Sequence, residues 1–327
     1  MKMRSLVVVV IAFALVLGGC VTEGTYADAP VNIVAIRGPS SLGMLRLMEE
    51  SELGQTLNNY NFEIVAMPDA IPSLIVRGEA DIAAVPVNMS SILYSATDGD
   101  VLALVVATMG VLHIVDTTGE IGSIEDLRGR TIFASARGAT PEFILNYVLN
   151  MNGLVPDEDV YIDWRADHAE IAALLQHGQA QIAMLPEPFV STVLAQIDGL
   201  NVALDLTEEW NRVQPDYGLV MTAVIGRREF VEANPEALAI FLEEYARSIE
   251  FMNTHTEAAA ALAVAYEIIP NPAIAAQAIP RSNVVFITGE QMQRYLQGML
   301  TVLYNENPGS VGGALPGDDF FFIPDAP

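Results

Sequence analysis

Two short turns in this chain have residue types suited to holding a small molecule. Gly38-Pro39-Ser40-Ser41 follows a β-rich run, Asn32–Ile36, and precedes an apolar, helix-like stretch. Glycine lets the backbone approach a ligand closely, and Ser40 or Ser41 can cap the helix or donate to a solute. Gly138-Ala139-Thr140 has the same placement in a second unit, with Pro141 set for the first turn of a helix. Pro86-Val87-Asn88 and Pro186-Glu187-Pro188-Phe189 follow two more strand-like runs. Asn88 can donate and accept. Glu187 suits an N–H or cationic partner, and equally suits burial against backbone N–H groups. Met67 and Trp164 also stand just past strands; Trp164 fits stacking on a planar ligand or plain core packing. Arg37 and Arg137 fit bidentate binding of an anion, or pairing with a surface carboxylate. The candidate ligand residues are therefore Gly38, Pro39, Ser40, Ser41, Met67, Asn88, Gly138, Ala139, Thr140, Trp164, Glu187 and Phe189.

Other chemistry has little to stand on. His113, His168, His177 and His255 are scattered without metal-ligand spacing, and no G-x-S-x-G turn or triad pattern is present. The only lysine is Lys2, which removes Walker-type phosphate binding and Schiff-base catalysis. The only cysteine is Cys20, so there is no internal disulfide and no cysteine-based metal site. No catalytic residue, metal or cofactor is expected. With 15 basic against 41 acidic side chains, a net of −26, the chain repels nucleic acid.

Lys2 and Arg4 precede an apolar run from Ser5 to Leu17, shorter than the ~20 residues of a membrane span. This is the grammar of an export signal over residues 1–19. The ending Leu17-Gly18-Gly19-Cys20 resembles a bacterial lipobox, which implies cleavage before Cys20 and a diacylglycerol on its sulfur. Residues 20–30 read as a tether. The expectation is a lipid-anchored protein on the extracytoplasmic face, with the membrane as a partner through that anchor alone.

These residues need elements to hold them. Short apolar runs (Asn32–Ile36, Phe62–Ala66, Asp81–Val85, Val101–Val106) alternate with helical patterns, and the alternation restarts at Thr131–Ala134, Val160–Asp163 and Gln181–Leu185. Such alternation predicts βαβ units and mostly parallel sheets, an α/β fold. An ungapped comparison of positions 71–93 with positions 171–193 gives eight identities in 23, among them Gly78 with Gly178 and Pro86 with Pro186. Glycine and proline mark particular backbone turns, so the match predicts a structural duplication and two lobes. Ligands in open α/β sheets sit beyond the carboxyl ends of strands, so the paired turns should line one cleft. A long helix is predicted over Glu229–Thr254, and Phe320-Phe321-Phe322 is predicted to strap the body.

The pieces RGPSSLGMLRLME (37–49), VRGEADIAAVP (76–86), IEDLRGRTI (124–132), GATPEFILNYVL (138–149) and HGQAQIAMLPEPFVS (177–191) resemble the SsuA/THI5-like (NMT1-like) solute-binding proteins of ABC importers. The resemblance implies a type II periplasmic-binding-protein fold with two crossings between lobes. These are placed near Asp116–Gly119 and Gly218–Ala223, so lobe I holds 31–117 and 223–327, and lobe II holds 118–222. It implies a monomer that is not an enzyme. Such a protein captures a small organic molecule or anion, of sulfonate, nitrate or thiamine-precursor pyrimidine type, for ABC permease and ATPase subunits. Two other readings stay open: an enzyme of menaquinone- or pyrimidine-pathway type on the same fold, and a receptor that presents ligand to a sensor protein.

Overall fold

Residues 29–66 and 68–323 are described by a computed structural model of the protein. The segment 1–19, Cys20 and Met67 lie outside them. The chain first runs through β1 (Val31–Ile36), α1 (Pro39–Leu42), α2 (Leu45–Glu52), β2 (Tyr60–Val65), α3 (Ile71–Val76), β3 (Ile82–Pro86), α4 (Val87–Ala96) and β4 (Val101–Met109). It then forms β5 (Leu112–Asp116), β6 (Thr131–Ala134), α5 (Thr140–Met151), β7 (Tyr161–Trp164), α6 (His168–Gln176), β8 (Ile182–Pro186), α7 (Phe189–Gln196), β9 (Asn201–Asp205) and α8 (Leu206–Val213). It returns through β10 (Val220–Arg227), α9 (Arg228–Ala233), α10 (Pro235–Thr254), α11 (Thr256–Ala265), α12 (Pro272–Ala278), β11 (Val284–Ile287) and α13 (Gly289–Glu306).

Two sheets result. The first has the order β11-β4-β10-β3-β1-β2, the second β7-β6-β8-β5-β9. β1 is parallel to β2 and β3, and β6 is parallel to β7 and β8. Ile33 pairs with Phe62 and Ile82, and Ile132 pairs with Ile162 and Ile182. The three-strand register recurs, with a slip of one residue at the first strand of the set. β10 and β5, the strands that follow the crossings, run antiparallel to β3 and β8.

Burial follows the strand period of two. Ile33, Ala35, Ile82 and Ala84 pack into one cluster with α2, α10, α11 and α12, while Val34, Ala83 and Val85 face the other way. That second face joins α4, α13, α5 and α8 in a cluster that runs through both lobes. A third cluster packs Ala183 and Leu185 of β8 against α6 and α7. α10 buries Leu238, Phe241, Tyr245, Ile249 and Met252, the three- and four-residue spacing of one helix face.

Three boundaries differ from the sequence reading. Leu112–Asp116, assigned there to lobe I, pairs with β8 and β9 in the second sheet. The first crossing is therefore Gly110–Val111 and not Asp116–Gly119. A Cβ on Gly110 would sit 2.2 Å from Thr207 Oγ1 and 2.9 Å from Leu219 Cδ2, so a larger residue there would force those side chains to move. Val220 to Thr222, assigned to lobe II, already belong to β10 in the first sheet. The predicted helix over 229–254 is two helices broken at Asn234, because Pro235 supplies no N–H to continue the first. Phe320 and Phe321 are buried against the body, and Phe321 bridges to Ala103.

Candidate ligand cleft

Strand ends and helix starts of both lobes meet at a cavity of about 240 Å³. Lobe I brings Arg37, Pro39, Ser40, Pro86, Thr108 and Thr222. The other wall has Leu112, Ala136, Ala139, Thr140, His168 and Pro186, with Val111 at the crossing between them. Five lining residues are prolines, Pro39, Pro68, Pro86, Pro141 and Pro186. Pro39 and Pro141 occupy the first turns of α1 and α5, where a missing N–H costs nothing. They leave the cavity walls largely apolar, as small-molecule sites usually are.

The polar groups are few and unevenly placed. Ser40 Oγ lies 3.2 Å from Thr222 Oγ1. Thr222 is the direct cross-strand neighbour of Pro86 on one side and Thr108 on the other. Lobe I thus carries a row of hydroxyls. The corresponding neighbour of Pro186 in the second sheet is Leu112, which gives that wall an apolar floor. Thr108 is only 1% exposed, and its hydroxyl has no hydrogen-bond partner. A buried, unpaired hydroxyl costs about 1–3 kcal/mol unless something supplies the missing bond.

Charge in the cleft has one sign. Among the described residues no carboxylate lines it. Arg37 donates to the backbone oxygen of Glu267. Among the described residues every arginine except Arg37 and Arg294 has a carboxylate within 4.0 Å. The cleft arginine is therefore free of the acids that neutralise its counterparts. His168 faces it from lobe II, its pKa pushed down to about 4 by burial against a smaller upward pull from Asp167.

The sequence-predicted residues divide into groups. Pro39, Ser40, Ala139 and Thr140 line the cavity. Gly38 and Ser41 stand behind it: Ser41 is buried and its hydroxyl donates to Gly38 O at 3.0 Å. Asn88 does not reach the cavity wall; it accepts from Thr140 Oγ1 at 2.9 Å, a bond between lobes. Gly138 lines a neighbouring groove of about 350 Å³ with Glu142, Glu306 and Ser310. Its N–H donates to the Glu142 carboxylate. Glu187 is fully buried; it accepts from the N–H and hydroxyl of Ser191, both at 3.1 Å, and lies 3.8 Å from Arg281 of lobe I. Burial raises its pKa. Phe189 packs behind the wall on His168, ring centres 5.2 Å apart. Trp164 packs on the core. Arg137 lies near Glu142 at 3.9 Å.

Thr108, His168, Met221 and Thr222 line the cavity and escaped the sequence reading. His168 had a usable signal: Asp167 is a helix N-cap directly after a strand, the same context that singled out Ser40 and Thr140.

Residues 47–266 match the NMT1-like family. No curated protein sequence matches the chain. Among solved structures, the chain is similar to an ABC transporter protein from Parabacteroides distasonis, 20% identical, covering 91% of this chain and 99% of that one with a TM-score of 0.76. It is similar to the periplasmic aliphatic sulphonate binding protein SsuA from Escherichia coli, 15% identical, covering 91% and 93% with a TM-score of 0.71. It is also similar to the alkanesulfonate-binding protein SsuA from Xanthomonas axonopodis pv. citri bound to MOPS, 15% identical, covering 85% and 93% with a TM-score of 0.64. At these identities the likeness establishes a shared fold.

Proposed function

The chain belongs to the NMT1-like family, and from that premise we propose that it is the solute-binding component of an ABC importer, catching a small acceptor-rich or anionic solute between its lobes. One observation carries the reading: among the described residues lining the cleft, Arg37 brings the only guanidinium and it has no carboxylate partner, while Ser40 and Thr222 bring hydroxyls to the same cavity. A solute anion supplies the missing counter-charge. The cavity volume is below the ~300–1,000 Å³ of drug-sized sites, which fits a compact solute. The names of the similar structures, transport proteins and sulphonate binders, agree with this chemistry.

The rest of the reading follows from it. Lobe I and lobe II swing about Gly110–Val111 and the segment 214–219, and closure on the solute makes the face that permease and ATPase subunits respond to. The protein acts as a monomer outside the cytoplasm, held to the membrane by lipid on Cys20; Cys20→Ala should move it from the membrane fraction to the soluble one. Native mass spectrometry of protein purified from its own host tests the central claim. A bound small acid or acceptor-rich molecule, lost on denaturation, is expected. Protein that carries none, and whose melting temperature is unmoved by sulfonates, nitrate and pyrimidines, refutes it.

A further inference from the structure

His168 opens α6 just past the carboxyl end of β7, and the helix start is fixed by Asp167, whose side chain accepts from Glu170 N at 2.8 Å. Two contacts then fix the ring. Nδ1 lies 2.5 Å from Ser135 Oγ, and one face rests on Phe189. The residue also lines the cleft. Its Nε2 has no hydrogen-bond partner among the described residues and is not among the buried unpaired atoms, so this nitrogen is accessible on a residue that lines the cleft.

The position of the ring proton follows from Ser135. That residue is 1% exposed, and His168 Nδ1 is the only hydrogen-bond neighbour of its hydroxyl among the described residues. A hydroxyl always carries a proton, and leaving that proton buried without an acceptor is costly. Ser135 therefore donates and Nδ1 accepts. A neutral imidazole has one N–H, so the proton sits on Nε2. Burial keeps the ring neutral; Asp167 is the charge that pulls the other way, and Ser135 and Phe189 bring none.

We propose that His168 is a solute-contacting residue of lobe II that presents a tautomer-fixed Nε2–H donor to the cleft. The inference rests on the solute-binding reading of the cavity and narrows the solute class. Arg37, Ser40 and Thr222 offer donors from lobe I, and His168 offers one from lobe II. Closure on a solute then requires acceptor atoms directed at both lobes, as an oxyanion or an oxyanion with a second acceptor group provides. A cationic or donor-only end facing lobe II meets an N–H and is rejected. Ser135 does not line the cavity, so it orients the ring without touching solute.

The test is long-range ¹H–¹⁵N correlation on the full chain labelled at histidine. His168 is expected as the Nε2–H tautomer from about pH 5.5 to 8, and Ser135→Ala should release the preference. Nitrate, methanesulfonate and acetate are then titrated. A probe that binds by calorimetry should move the His168 Nε2–H signal more than those of His113, His177 and His255. His168→Gln, which keeps a donor near the same atom, should hold affinity within about threefold, and His168→Leu should lose about tenfold or more. An Nδ1–H tautomer in the unaltered protein, or a bound probe that leaves His168 unmoved, overturns the assignment. The expected tautomer with none of the three probes bound supports the donor assignment and counts against the solute reading beneath it.

Discussion

The hydroxyl of Thr140 donates to the side-chain oxygen of Asn88 at 2.9 Å, tying the start of α5 in lobe II to α4 in lobe I. Both residues are buried, and the Asn88 amide also donates to Ser310 O at 3.3 Å. Two side chains that look like ligand contacts in the sequence thus bond to each other, although only Thr140 also lines the cavity.

A double-mutant cycle measures this latch. Asn88→Ala and Thr140→Val should each destabilise the protein, with a coupling energy of about 1 kcal/mol in urea unfolding. Strictly additive losses would show that the bond does not form in solution.

Arg37→Gln should weaken anion binding by about tenfold or more and leave neutral solutes nearly unaffected, because a charge-assisted bond is lost without a change in cleft shape. Calorimetry on matched charged and neutral solutes distinguishes the two effects. Equal weakening of both would place Arg37 in a packing role.

Thr108→Val should stabilise the solute-free protein. It removes an unpaired buried hydroxyl while keeping the side-chain shape, so the protein should gain up to about 1 kcal/mol in urea unfolding. A variant that loses stability in the absence of solute would mean that the hydroxyl already has a partner, such as a bound water.

Glu187 sets a pH dependence. Its folded-state pKa lies above the ordinary carboxylate value because of burial, with Ser191 and Arg281 pulling it back in part. The folded state then holds a proton that the unfolded chain has already released, so this group's contribution to stability falls as pH rises from the ordinary carboxylate range through the raised value. Glu187→Gln should match the unaltered protein near pH 4 and become relatively more stable toward pH 7, as read by denaturation midpoints across that range. A gap that narrows with rising pH contradicts the assignment.

The parts of the fold that were legible in the sequence share one property, continuous apolar runs between glycine and proline turns. β1, β3, β4 and β8 are buried on nearly all positions of both faces and read as such, and β6 is recognised by its buried Ile132 and Ala134. β5 was misplaced because His113 and Asp116 interrupt its pattern, although both are buried. Asp116 is satisfied by the N–H groups of Thr118, Glu120 and Ile121, a local arrangement that strand periodicity does not reveal. In the cleft, the duplicated turns located Ser40 and Thr140. Thr108, Met221 and Thr222 lie at the crossings, away from any strand-to-helix turn, and only strand pairing between distant segments brings them to the cavity. Of the two roles open to Trp164 in the sequence, stacking or core packing, its ring packs against the core.

The placement of β10 between β3 and β4 has a consequence for folding. All five strands of the second sheet lie within Leu112–Asp205, an unbroken stretch that can pair without the rest of the chain. The first sheet cannot: an empty lane separates β3 from β4 until Val220–Arg227 has joined them. The second sheet can therefore be completed before the first, in whatever compartment the chain folds. Until Val220–Arg227 is in place, β3 and β4 carry unpaired N–H and C=O groups along facing edges, the surface on which another chain can add a strand. Truncation before Val220 should therefore leave an aggregation-prone lobe I, whereas lobe II keeps every strand of its sheet.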